Sequence, residues 1–337
     1  MSLAIAIAAV IPGLLLLVYF NARQDYHLSA EIVWTSVLLG AATSILAVVV
    51  ELPLDLAIRQ IDDRLAQSLA RAFLGTGLPE EACKYLIVVW IALRHEDYER
   101  PVDALVLAVA VALGFATFEN LLYLVKSDDW GRTAAARAMT AVPSHVINAM
   151  LMGYFLGLAH LASRRARLRA ALFRVLALAA PTLNHGAYDL PLFLIDTLNQ
   201  GSQPPPEAAL LHLILGFALI IGVGSLLALA AWYDLLERDA ADAAANRPAF
   251  TIRGLPAPLR RLEAGFWLLV GGLLTLGSLV VGLEGFVSPV RSGPEWARLF
   301  PQYFMLASAI LPCLFGLAMF GHGLGRWRSQ RRDGAAT

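Results

Sequence analysis

The chain has 337 residues, of which 58% are hydrophobic and only 15% charged, and its mean hydropathy of +0.64 lies far above the range of soluble domains. Basic and acidic residues both number 26, a net charge of zero that offers neither a basic surface for nucleic acid nor an acidic one. These figures exclude an ordinary soluble protein and describe a polytopic membrane protein.

A bilayer core takes about 20 apolar residues per helix. Runs of that kind predict spans over residues 3–20, 32–50, 78–94, 102–125, 138–161, 171–198, 209–234, 264–288 and 302–321. The first has no basic residue ahead of its apolar stretch, which speaks for a retained span rather than a cleaved signal peptide. After the second, Leu54, Ile58, Ile61, Leu65, Leu69 and Phe73 recur at helical spacing and end at Gly75-Thr76-Gly77. We read 52–73 as a separate amphipathic helix on the membrane surface, placed to lid what lies below Pro79.

The third span opens Pro79-Glu80-Glu81, with Lys84 one turn on. Proline at the first helical position and acids in the first turn suit the start of any helix, and Glu80 with Lys84 makes an i,i+4 pair. By itself this stretch divides evenly between a helix start and a working site. The fourth span carries Phe115, Glu119 and Asn120; the fifth, with Arg137 at its entrance, carries His145, Asn148 and the small-residue pair Gly153 and Gly157; the sixth carries His185 and Asp189 one turn apart. Spans one, two, seven and nine have almost no ionisable residues in their interiors. Cys83 and Cys313 lie in apolar runs without disulfide or metal spacing.

Basic residues set the orientation. Arg164, Arg165, Arg167 and Arg169, then Arg238, Arg247, Arg253, Arg260 and Arg261, then the arginine-rich tail, alternate with connections such as NQGSQPPPE that have none. The expected architecture is an all-α integral membrane bundle of about nine transmembrane helices, with the N-terminus outside and the C-terminus cytoplasmic.

Ionisable groups inside spans are costly and mark function. At roughly 1.5 Å per residue, Glu119 and His145 fall about 10 Å from the outer ends of their helices, and His185 and Asp189 about 20 and 14 Å. All converge on the outer half of the membrane. Each also has a plain structural explanation: a polar plug for Glu119 and Asn120, a packing role for His145, an orienting pair for His185 and Asp189, and close helix approach for Gly153 and Gly157.

Taken in order, Glu80-Glu81-x-x-Lys84, Phe115-x-x-x-Glu119-Asn120, Arg137 followed by His145 and Gly153, and His185-x-x-x-Asp189 resemble the four motifs of the PrsW family of intramembrane proteases. That family is related to the CAAX prenyl endopeptidases and bacteriocin-processing enzymes. The likeness covers roughly residues 1 to 200, and Glu119 stands where the CAAX-type enzymes have histidine. The resemblance implies a protease core over 1–236, a cytoplasmic linker over 237–260 and a two-helix membrane extension over 261–337. It further implies cleavage of a transmembrane protein such as an anti-sigma factor, near the outer face of the bacterial cytoplasmic membrane. The lipid bilayer is the other expected partner.

Peptide hydrolysis needs an activated water, an acid for the leaving amine and donors for the developing oxyanion. Catalytic roles are expected of Glu80, Glu81, Glu119, His145, His185 and Asp189, supported by Lys84, Phe115, Asn120, Arg137, Asn148 and Gly153. Glu81 is the candidate base with Glu80 its partner; Glu119 or His145 positions water, and His185, oriented by Asp189, steadies the oxyanion. The expected mechanism is glutamate-based with no cofactor. Two histidines and carboxylates also suit zinc, whose ligands would be Glu119, His145 and His185, although HExxH is absent. Two other classes compete: a proton-coupled transporter, which needs a polar route to both faces and usually repeated halves, and a non-catalytic membrane scaffold.

Overall fold

A computed structural model describes residues 3–22, 28–94, 98–163, 166–199 and 207–246, and among these every regular element is helical. In chain order they are α1 (Leu3–Ala22), α2 (Ala30–Ile58), α3 (Arg64–Ala70), a π-helical segment (Arg71–Gly77), α4 (Leu78–Arg94), α5 (Pro101–Lys126), α6 (Trp130–Met139), α7 (Ala141–Ser163), α8 (Arg167–Asn199) and α9 (Glu207–Asn246). The spans expected at 264–288 and 302–321, and Cys313, lie outside the described residues. The chain divides into two compact units, Met1–Leu190 with Gly224–Arg247, and Pro191–Val223 with Pro248–Thr337. All residues discussed below as a site belong to the first.

Among the described residues, four helical stretches are long and apolar enough to cross a membrane: Ala30–Ile58, Pro101–Lys126, Trp130–Ala162 and Ala209–Asp239. Helices α4 and α8 are not among them. They are the two that carry Glu80, Glu81, Lys84, His185 and Asp189, so polarity concentrates where the core spans give way.

Helix α5 is the axis of the first unit. Pro101 begins it, and the Asp103 carboxylate accepts from the backbone N–H of Arg100 at 2.7 Å and of Glu99 at 3.2 Å. Every residue from Pro101 to Ala116 is buried, as expected of a helix that is apolar all round. It packs against α1, α2, α4, α6 and α7. Small residues permit this. A Cβ on Gly40 of α2 would overlap the Val111 carbonyl, one on Gly114 of α5 would overlap the Val37 carbonyl, and one on Gly153 of α7 would overlap the Leu105 backbone. Gly153 is thus a packing residue of the α5–α7 contact.

The structure departs from the sequence expectation at residues 52–73. Helix α2 does not stop at Val50; it runs through Pro53 to Ile58, and the chain turns before Asp63 caps α3, its carboxylate accepting from Ala66 N–H at 2.7 Å. No separate surface helix forms, because the first third of that segment continues α2 and the rest joins α4. Gly75 and Gly77 do not break the helix either. They lie in a π-helical stretch in which Leu78 N–H bonds the carbonyl of Phe73. At Gly77 a Cβ would sit 3.2 Å from both Gly186 N and Thr182 O, and at Gly186 it would overlap the Phe73 ring. These glycines let α8 pass directly over the start of α4. Residues 237–246, expected as linker, are helical as the end of α9.

Gly153→Ala is expected to lower the apparent melting temperature in detergent, the overpacking costing roughly 1–3 kcal/mol. Gly131→Ala, whose Cβ meets only Asp129 Oδ1 at 3.8 Å, is expected to be neutral or slightly stabilising, since alanine is the better helix former. Thermal unfolding of the two variants side by side checks the comparison.

Candidate active site

Because α3, the π segment and α4 run on without a break, Glu80 and Glu81 do not sit at a free helix N-terminus. The simple explanation of their charge, a first turn with unsatisfied N–H groups, therefore fails. Instead they face inward: Glu81 is 0%, Lys84 2% and Glu80 5% exposed. The Lys84 ammonium donates to Glu80 Oε2 at 3.1 Å and to Glu81 Oε1 at 2.9 Å. Its third N–H reaches His145 Nδ1 on α7 at 3.1 Å, so an ammonium's three donors are all used. The Phe115 ring of α5 lies under the same nitrogen, 4.0 Å from ring centre to Nζ.

Two arms extend from this centre. With Nδ1 accepting from Lys84, the proton of the His145 ring is on Nε2, which meets Glu119 Oε2 at 2.8 Å. Arg137, in the last turn of α6, donates Nη2–H to the same oxygen at 2.8 Å and Nε–H to Asn120 Oδ1 at 2.6 Å. On the other side His185 Nδ1 meets Glu81 Oε1 at 2.8 Å, while Nε2 lies 3.3 Å from Asp189 Oδ2 and 3.9 Å from Glu80 Oε2. Both ring nitrogens of His185 are thus engaged with carboxylates. The two imidazoles meet edge to face with centroids 5.8 Å apart.

Of the residues expected from sequence, Glu80, Glu81, Lys84, Glu119, Asn120, Arg137, His145, His185 and Asp189 form one connected network over Phe115. Asn148 lies one turn beyond His145 and bonds Asn184, and Gly153 serves packing. Glu51 escaped sequence reasoning. It is partly buried on α2, its Oε1 is buried without a hydrogen-bond partner, and it is close enough to Glu80, Glu119, His185 and Lys84 for their charges to act on it. One turn back, Ala47 packs with Cys83 and Phe115, which orients this face of α2 towards the site. The signal was present: an acid one residue beyond an expected span end.

One atom of the network stands out. Glu81 Oε1 is held from two sides, yet Glu81 Oε2 is buried and has no partner. A buried carboxylate oxygen left in this state is costly unless something arrives to use it.

Residues 29–227, more than half the chain, match the family described as PrsW family intramembrane metalloprotease. The chain belongs to the PrsW family. Similar curated proteins include three named Protease PrsW: that of Geobacillus kaustophilus is 32% identical over 54% of this chain and 76% of its own length, that of Halalkalibacterium halodurans 31% over 56% and 82%, and that of Bacillus subtilis 30% over 56% and 83%. No solved structure gives a significant match.

The family description raises the question of a metal. Among the described residues Glu80, Glu81 and His145 each offer a ligand atom, all within 4.8 Å of one another; of the ligands expected from sequence, only His145 is in this trio. Two carboxylates and an imidazole suit zinc in kind, and Glu81 Oε2 is free. However, Lys84 Nζ already bonds one donor atom of all three residues. A divalent ion among them would lie beside an ammonium in a site shielded from water, where like charges repel strongly. As arranged, this PrsW-family site fits the lysine and not a metal.

Removing the ammonium leaves two buried carboxylates uncompensated. Lys84→Met is expected to cost about 3–5 kcal/mol and to lower the melting temperature sharply, with Glu80→Gln in the same chain recovering part of the loss. Thermal unfolding of the single and double variants checks this, and no recovery would contradict the pairing.

Proposed function

We propose that this PrsW-family chain is a glutamate-dependent intramembrane endopeptidase that hydrolyses a peptide bond in a membrane-anchored protein, an anti-sigma factor being the type of substrate the resemblance implies. The observation that carries this reading is Glu81: one oxygen locked by Lys84 and His185, the other buried and free. A carboxylate so held is a preorganised base. Water bound at Oε2 gives it a proton as its oxygen bonds to the substrate carbonyl carbon. When the C–N bond breaks, that proton passes to the leaving nitrogen, and the products are an acid and an amine with Glu81 regenerated.

The neighbours take roles that follow from their bonds. Lys84 and His185 keep Glu81 in place. Asp189 fixes His185 through its other nitrogen, so His185 acts as a bridge and not as the oxyanion donor expected from sequence. Glu119, gripped by Arg137, fixes the tautomer of His145 that accepts from Lys84. No step uses a metal. Kinship with CAAX prenyl endopeptidases is part of the same reading and rests on motif order. The match over 29–227 supports a protease core within 1–236.

The proposed topology has nine spans, an outer N-terminus and a cytoplasmic C-terminus, which puts the site in the outer half of the membrane. Cysteines introduced at Ser202 and Ser163 are expected to label from opposite sides of intact cells, Ser202 from outside. Equal labelling of both would remove the orientation and the outer-face cleavage with it.

Glu81→Gln keeps the shape and removes the proton acceptor, so cleavage of a tagged single-span substrate in liposomes is expected to fall by roughly 100-fold or more, with folded protein at wild-type level. Activity is expected to survive exhaustive chelation. Wild-type cleavage by the variant would defeat the assignment; loss of activity on chelation, restored by zinc, would defeat the metal-free mechanism; ion flux without cleavage in the same vesicles would favour a transporter.

A further inference from the structure

A peptidase needs a donor aimed at the oxygen that becomes negative, and the donors expected to serve are already taken. His185 spends both nitrogens on Glu81 and Asp189, His145 spends its one proton on Glu119, and Lys84 has three partners. A different buried donor is left over. Asn148 is 0% exposed and its Nδ2 has no partner. It lies on α7 three residues after His145, so the two side chains share a helix face.

The orientation of this amide is set by a neighbour. Asn184 Nδ2 donates to Asn148 Oδ1 at 2.7 Å, which leaves the NH2 group as the free end of Asn148. Asn184 directly precedes His185 on α8, so the amide pair bridges α7 and α8 beside the point where the two imidazoles meet. Its far side is closed by α9: a Cβ on Gly224 would sit 3.0 Å from Asn184 Oδ1. The pair is built and buried, and a fully enclosed N–H without an acceptor is what a site for a transient anion looks like before the anion forms.

We propose that Asn148 donates from Nδ2 to the oxyanion that develops on the substrate carbonyl, and that Asn184 is the positioning residue that keeps this donor free. As the water oxygen bonds to the carbonyl carbon, the π pair moves onto the carbonyl oxygen and the N–H···O bond tightens. When the C–N bond breaks, the pair returns to re-form the carbonyl. No proton leaves Asn148, and the proton balance through Glu81 is unchanged. The inference rests on the peptidase reading.

The test is steady-state cleavage of a quenched fluorogenic single-span peptide by the full chain in phosphatidylethanolamine–phosphatidylglycerol vesicles, with inhibition by the peptide aldehyde of the same sequence, whose hydrate mimics the tetrahedral state. Asn148→Ala is expected to lower kcat about 100- to 1000-fold with KM nearly unchanged, and to weaken the aldehyde in parallel. Asn184→Asp is the sharper probe: a carboxylate only accepts, so Asn148 turns its NH2 towards it, the bond between the helices persists, and kcat falls by a similar factor while the melting temperature holds. Folded Asn148→Ala and Asn184→Asp with kcat within threefold of wild type would overturn the proposal, as would a loss expressed in KM with aldehyde inhibition intact. If Asn148→Ala fails to fold, Asn184→Asp decides alone. A wild type that cleaves no faster than Glu81→Gln overturns the peptidase reading itself, a result distinct from either.

Discussion

A lysine ammonium enclosed by protein has to find three acceptors or it unfolds what encloses it. Lys84 finds them on two helices, Glu80 and Glu81 on its own and His145 on α7, with the Phe115 ring of α5 beneath. That requirement holds α4, α5 and α7 in one relative position. Everything polar in the site is attached to this knot: Glu81 carries His185 and through it Asp189, and His145 carries Glu119 and through it Arg137 and Asn120. Cations and carboxylates alternate along both arms, so the charge is distributed and no member is isolated. Such a network is rigid because every bond in it is needed by the next.

Rigidity also comes from the backbone. Where α5 meets α2 and α7, glycines remove the side chain that would hold the helices apart, and the helix that crosses the start of α4 does so over Gly77 and Gly186. The second contact has a direct chemical effect, since Gly186 follows His185 and Gly77 precedes Glu80 by less than a turn. Close approach of the main chains is what puts an imidazole 2.8 Å from a glutamate on a different helix. Catalytic geometry here is a product of packing between small residues more than of any flexible reach by long ones.

Much of this was legible in the sequence, and the reasons for the rest are physical. Apolar runs locate α1, α2, α4, α5, α7, α8 and α9, and the costliness of charge in a membrane selects the residues that turn out to be joined. Hydrophobicity loses the thread where a helix stays buried against protein while turning polar. That is why α2 seemed to end at Val50 and Glu51 was passed over, and why 52–73 looked like a separate helix although α2 runs on to Ile58. Partner choice was the other gap. Spacing places His185 and Asp189 on one face but does not say that the second nitrogen of His185 is taken by Glu81, nor that Asn184, one residue earlier, engages Asn148. Those bonds exist between helices, and a single sequence encodes their members without pairing them.

The seven π-helical residues before α4 bear on which changes in length this chain tolerates. A π turn holds one more residue than the α turn it replaces, so the segment amounts to an insertion absorbed without interrupting the helix. Deleting a residue there would let the turn close to ordinary α geometry, a local gain, and would rotate all that follows by roughly 100°. Glu81 would swing off His185, and Lys84 off His145. At an exposed position such as Leu74 the side chain is free to vary, but the count of residues between Arg71 and Gly77 is not: in this stretch, substitution is cheap and a single indel is disabling.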